Sequence, residues 1–183
     1  MATAGKIITN SKTGQSIRFV QTSLSTGGRL LEMESIYKPG SAEPPMHYHP
    51  AQEETFMVLS GEISVRINKS TTVYSAGESF HIPAGVSHSM WNHSDRNVLL
   101  NWKVQPALQL EYLFETISGL SNDNKTNNSG KPPLLQLALT ASHFSKEFRT
   151  ARPPYRVQQF LFCILKPFAL LLGYRPVYKK YLD

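Results

Sequence analysis

Three histidines and one glutamate stand where they could share a metal ion. The chain reads His47-Tyr48-His49, then Glu54, and much later His88. In an extended strand, residues two apart share a face, so His47 and His49 point one way and Tyr48 the other. Glu54 opens a second strand whose positions 54, 56 and 58 are Glu, Phe and Val on a single face. A carboxylate heading an apolar face is costly to bury unless something pairs with it. An ion held jointly with His47, His49 and His88 would offset that cost. Nitrogen and oxygen donors suit one divalent transition metal (Fe, Mn, Ni, Zn or Cu), and these residue types exclude an all-sulfur or all-oxygen site. Four such donors leave positions for water, substrate or dioxygen, as catalytic rather than closed structural sites do. An ion there could act as a Lewis acid or activate O2. The ligands must be deprotonated, so affinity should fall as pH drops through the histidine range.

The elements that must position these residues read as short strands. Alternation and Gly turns predict strands at 15–22 and 29–37, with Gly27-Gly28 between them. In 62–68, Ile63, Val65 and Ile67 share one face, opposite Glu62, Ser64, Arg66 and Asn68, as in a half-buried antiparallel strand. Ser60-Gly61 and Ala76-Gly77 supply further turns, the second before a strand at 79–82. Val98, Leu100, Trp102 and Val104 line one face of 97–104. Periodicity alone predicts an all-β barrel or sandwich.

The motifs narrow that choice. HxH, four residues, Glu54, six residues and Gly61 form the first; Gly77, five residues, Pro83-Ala84-Gly85, two residues, His88, three residues and Asn92 form the second. Together they resemble the cupin superfamily, small single-domain barrels of the Cupin_2 type, over roughly residues 15 to 104. One departure is that six residues separate Gly40 from His47, where the family usually has five. The resemblance implies an all-β double-stranded β-helix (a jelly roll) for residues 1–104. It implies His47, His49, Glu54 and His88 as metal ligands converging inside the barrel, and a homodimer. By parity, Met46, Phe56, Phe80, Met90 and Trp102 are candidate pocket walls or core packing, which would suit a small organic ligand. Asn92 fits a turn, or a side chain that supports a metal ligand from behind. Glu53 faces away from Glu54, His81 points opposite to Phe80 and Ile82, and His93 and His143 stand in no motif.

Residues 105–183 read as an α-helical extension, packing on the barrel or on a partner subunit. Gln105-Pro106 ends the sheet and starts a helix, with Gly119 as its stop. The stretch 121–133 is polar and turn-rich, 134–144 a short apolar helix, and 145–154 a basic connector. A third helix spans 155–172, bent at Pro167, with Gly173 at its end.

Charge sharpens the division. Residues 1–104 hold nine Lys/Arg against eight Asp/Glu (+1), and residues 105–183 hold ten against five (+5). A near-neutral barrel argues against nucleic acid as a partner. The apolar run at 160–172, broken by Lys166-Pro167, is too short to span a bilayer. It could lie on a membrane surface, although an interface with the barrel or a second subunit is the favoured expectation. Cys163 is the only cysteine, so a disulfide-stapled secreted scaffold is excluded. The first residues show no signal-peptide pattern, and the expected compartment is the reducing cytoplasm. The leading functional expectation is a metal-dependent enzyme, a dioxygenase or isomerase, acting on a small organic substrate. The alternative is a non-catalytic small-molecule binding or sensing module. No nucleophile–base pair, phosphate loop or dinucleotide fingerprint is present, so catalytic residues other than metal ligands are not identifiable.

Overall fold

The computed structural model describes residues 2–182. Its barrel strands are β1 Ile7–Thr9, β2 Ser16–Gln21, β3 Leu31–Tyr37, β4 His47–Tyr48, β5 Glu53–Ser60, β6 Glu62–Ile67, β7 Ser70–Ser75, β8 Ser79–Ile82, β9 His88–Trp91 and β10 Val98–Gln105, and β11 Arg149–Thr150 joins them from the extension. The helices are α1 Ser23–Thr26, α2 Leu110–Asn122, α3 Leu134–His143, α4 Tyr155–Leu171 and α5 Lys179–Leu182. The strands form two antiparallel sheets, ordered β1-β2-β3-β10-β5-β8 and β11-β4-β9-β6-β7. This is the double-stranded β-helix that the motifs imply, followed by helices.

Alternation places the core between the sheets. Along β5 the even positions Glu54, Phe56 and Val58 are buried while Glu53, Thr55 and Met57 are exposed. On β10 the buried set is Val98, Leu100, Trp102 and Val104. The register puts Trp102 opposite both Phe56 and Met33, and Phe56 opposite Phe80. Those rings stack, with centroids 4.8 Å apart for Phe56–Phe80 and 5.3 Å for Phe56–Trp102.

Several local features depart from the expectations. Gly27-Gly28 closes a full helical turn rather than a simple hairpin. Thr22 caps α1 in a reciprocal pair with Ser25, and Gly27 ends it in the left-handed region at φ 62°. β7 carries no strand signal of its own, because Ser-Thr-Thr-Val-Tyr-Ser has little apolar alternation. A two-residue turn joins it to β6, with Asn68 at φ 54°, a conformation that Asn tolerates. α2 begins at Leu110 rather than at Pro106 and runs through Gly119 to Asn122. A Cβ at Gly119 would come within 2.2 Å of the Tyr181 ring. Gly119 therefore makes room for α5 instead of stopping the helix. Asp123 Oδ2 accepts from Tyr181 Oη at 2.7 Å and from Lys180 Nζ.

The extension shares the barrel's core. Ala107, Leu110, Leu113 and Phe144 belong to the same apolar cluster as Phe56 and Trp102. Lys6 Nζ meets the buried Glu115 carboxylate at 2.6 Å, and Ser23 N donates to Glu111 at 2.9 Å. The basic connector carries β11, which pairs with β4 (Arg149↔Tyr48, Thr150↔His47). Residues of the extension thus complete the sheet that bears His47.

Candidate metal centre

Strand pairing assembles the histidines. β4 lies beside β9 with His47 directly opposite His88, and His49 follows two residues later on the same face. Their ring centroids lie 4.4 Å (His47–His88), 5.4 Å (His47–His49) and 5.5 Å (His49–His88) apart. One donor nitrogen from each falls within 4.8 Å of the others. From the opposite sheet, the Glu54 carboxylate reaches His49 Nε2 at 3.4 Å and His88 Nε2 at 3.0 Å. Donors sharing one ion at about 2.1 Å sit roughly 3 to 4 Å apart.

Each imidazole is oriented from behind. Nδ1 of His47 lies 3.1 Å from the Pro45 carbonyl, Nδ1 of His49 2.5 Å from that of Glu147, and Nδ1 of His88 3.0 Å from that of Val86. A carbonyl only accepts, so each Nδ1 carries the proton and each neutral ring presents a bare Nε2. Metal-ligating histidines are commonly fixed in this way. Among the described residues, His49 Nε2, His88 Nε2 and Glu54 Oε2 are buried without a hydrogen-bond partner. Bare nitrogens facing a carboxylate repel it unless a proton or a cation lies between them. The donor set therefore fits a divalent cation.

Protonation follows from the same contacts. Burial and the neighbouring His88 and His49 push the His47 imidazole down to about 3. Burial also lowers His49, against the pull of Glu54. For His88 burial works against the charged form, but the contact with Glu54 outweighs it and raises the pKa. Burial likewise opposes ionisation of Glu54, yet His49 and His88 hold its carboxyl below the ordinary range. His47 and His49 are thus pushed toward the uncharged form that can ligate, while Glu54 favours a proton on His88 that a metal would have to displace.

Trp102 holds the carboxylate, its Nε1 donating to Glu54 Oε1 at 3.0 Å. Trp102→Phe keeps the ring but removes this donor. Metal titration of the metal-free variant should show affinity weakened by about 10- to 100-fold, the usual effect of losing a group that orients a ligand. Unchanged affinity would mean that Glu54 is held by other means.

Two contributors from the extension have no motif to announce them. The Glu147 carbonyl fixes His49, and Phe148 stacks on His47 with centroids 4.8 Å apart and 26° between planes. The only local hint is the short extended-favouring run Phe148-Arg149-Thr150, because the pairing partner lies a hundred residues earlier.

The other candidate residues fall into place separately. Phe56, Phe80 and Trp102 form the aromatic stack, Met90 is buried opposite Val65, and half-buried Met46 contacts Ser89 Oγ through its sulfur at 3.3 Å. A hollow of about 520 Å³ lies beside the β6–β7 hairpin. Val65, Ile67, Thr72 and Tyr74 line it, and none of the five expected wall residues does. Ile67 is the cross-strand neighbour of His88, and Tyr74 stacks on Phe80 at 4.4 Å. Asn92 takes the turn role: its Nδ2 donates to the Tyr37 and Arg96 carbonyls, and its Oδ1 accepts from Ser94. Glu53 and His81 sit together on the outer face, 3.7 Å apart.

The Cupin_2 family model, a cupin domain, matches residues 33–102. Probable oxidoreductase virH of Hypocrea virens is 30% identical over 173 residues, covering 84% of this chain and 77% of that protein. That coverage exceeds what residues 1–104 could supply, so part of the extension is shared. Beta-D-galactosidase Rv1717 of Mycobacterium tuberculosis is 37% identical over 67 residues, covering 36% of this chain and 55% of that protein. Among solved structures, an RmlC-like cupin from Shewanella frigidimarina is 20% identical, with a TM-score of 0.49 over 58% of this chain and 88% of that one.

Proposed function

We propose, from the premise that this chain belongs to the cupin superfamily, that it is a metal-dependent enzyme of the oxidoreductase type, a dioxygenase, acting on a small organic substrate. The observation that carries this reading is the convergence of the His47, His49 and His88 imidazoles and the Glu54 carboxylate, each backed by its own hydrogen bond. The similarity to a probable oxidoreductase over most of the chain supports the reaction class.

A redox-active ion held by His47, His49, Glu54 and His88 would supply Lewis acidity and electron transfer to dioxygen. The chain's own residues do the rest. The backbone carbonyls keep the imidazoles in one tautomer with Nε2 toward the cluster, so His47 and His49 need lose no proton to ligate, while a proton on His88 would be displaced. Phe148 covers His47 and shields the cluster from water on that side. The hollow lined by Ile67, Asn68, Lys69 and Tyr74 among others is linked to the cluster through Ile67, the cross-strand neighbour of His88, and is the proposed seat of the substrate. Four protein donors would leave room beside such an ion for substrate and oxygen.

Metal analysis of the purified protein, followed by oxygen uptake across a panel of small diketones, thiols and phenolics, tests the reading. The expected result is near-stoichiometric transition metal and substrate-dependent oxygen consumption. Substrate conversion without oxygen uptake would point to an isomerase, and metal without turnover of any substrate to a binding module.

A further inference from the structure

The helix α4 is built inside out. Of its described residues only Gln158 and Ala169 are buried. Val157, Phe160, Leu161, Ile164, Phe168 and Leu171 are exposed, Phe160 at 68% and Leu171 at 84%. At 100° per residue these six fall within one arc of about 100°, the stripe that an ordinary surface helix turns toward its core. The reversal has a local cause. Gln158 Nε2 donates to the Thr150 carbonyl at 2.9 Å and to the Pro153 carbonyl at 2.6 Å. That buried amide fixes which side of α4 faces inward, and the small Ala169 lets the same side pack closely.

Charge indicates what covers the outward stripe. From 149 to 182 the chain holds seven Lys/Arg and no Asp or Glu. Arg152, just before α4, and Arg156, beside the stripe, are both exposed. A second copy would set two such cationic surfaces against each other with no acidic partner from this segment. An anionic lipid surface supplies the complementary charge and a place for the apolar side chains. No helix among the described residues is long and apolar enough to cross a membrane. We propose that α4 is a peripheral anchor that lies in the plane of an anionic membrane, its Phe160–Leu171 stripe at the acyl boundary and its basic flanks among the headgroups.

Co-sedimentation of the full chain with vesicles tests this, comparing phosphatidylcholine alone with phosphatidylcholine containing phosphatidylserine. The expected result is pelleting with the serine-containing vesicles that weakens as salt rises. Phe160→Ser with Leu171→Ser should bind at least about tenfold more weakly, since two large apolar groups no longer enter the lipid. Both side chains are exposed, so the variant should keep its circular dichroism and melting temperature. Absence of pelleting, or equal pelleting with both vesicle types, overturns the proposal. So does a chain that runs as a dimer in light scattering, ignores vesicles, and becomes monomeric in the double variant; α4 would then pair with a second copy.

Discussion

The His49→Ala protein is expected to purify folded but with little bound metal. His49 contributes one of the bare Nε2 atoms, and its Nδ1 bond to the Glu147 carbonyl ties the extension to the cluster. Alanine removes the ligand outright. The loss should therefore exceed the roughly 10- to 100-fold that follows from disturbing a group behind a ligand. The fold should survive. The substitution leaves the Glu147 carbonyl without this donor and Glu54 with one fewer neighbour, a cost of about 1–3 kcal/mol per unsatisfied buried group, against a total of about 5–15 kcal/mol for a typical domain. The barrel strands on either side keep their ladders. Metal content after gel filtration and a thermal melt check both halves of the expectation. His81→Ala, on the outer face beside Glu53, should leave metal content untouched. Full metal occupancy in His49→Ala would show that the ion sits on other donors.

How much of this was legible before any coordinates depends on the range of the interactions. β5 and β10 could be read because their alternation is local, and burial of Phe56, Val58, Leu100 and Trp102 follows from parity alone. His47 and His49 could be placed together because spacing within a strand decides which side chains share a face, whereas the resemblance to the cupin motifs, not spacing, implied that Glu54 and His88 join them. β7 was not legible, since its hydroxyl-rich sequence joins the sheet through pairing with β6 rather than through its own pattern. Gly119 illustrates a different limit. A glycine late in a helix reads as a stop, but here it accommodates the Tyr181 ring, a contact between residues far apart in the chain. The same holds for Glu147 and Phe148: nothing near them in sequence says that β11 will pair with β4. The outward stripe of α4 is the converse case. Its periodicity is plain, but the side that faces the protein is set by Gln158 and the Thr150 and Pro153 carbonyls just ahead of the helix.

Phe56→Ala should be the most damaging single change to stability. Phe56 is fully buried and stacks between Phe80 and Trp102, with interplanar angles of 15° and 24°. Truncating a buried Phe to Ala costs about 3–5 kcal/mol when the cavity cannot collapse. Collapse is resisted here because β5 is held between β10 and β8 on either side. At about 2–4 °C per kcal/mol for a chain of this size, the melting temperature should fall by roughly 6–20 °C. The residue also bears on the site, since Phe56 supports the Trp102 ring whose Nε1 holds Glu54. Metal affinity should weaken less than in Trp102→Phe, because the indole donor itself remains. A large drop in melting temperature with the metal mostly retained would assign Phe56 to packing. The opposite pattern, an unchanged melt together with weakened binding of any small organic ligand found for the protein, would assign it to a ligand-contacting wall. The aromatic stack favours the first outcome, because a ring closed in on both faces has no free face to offer a ligand.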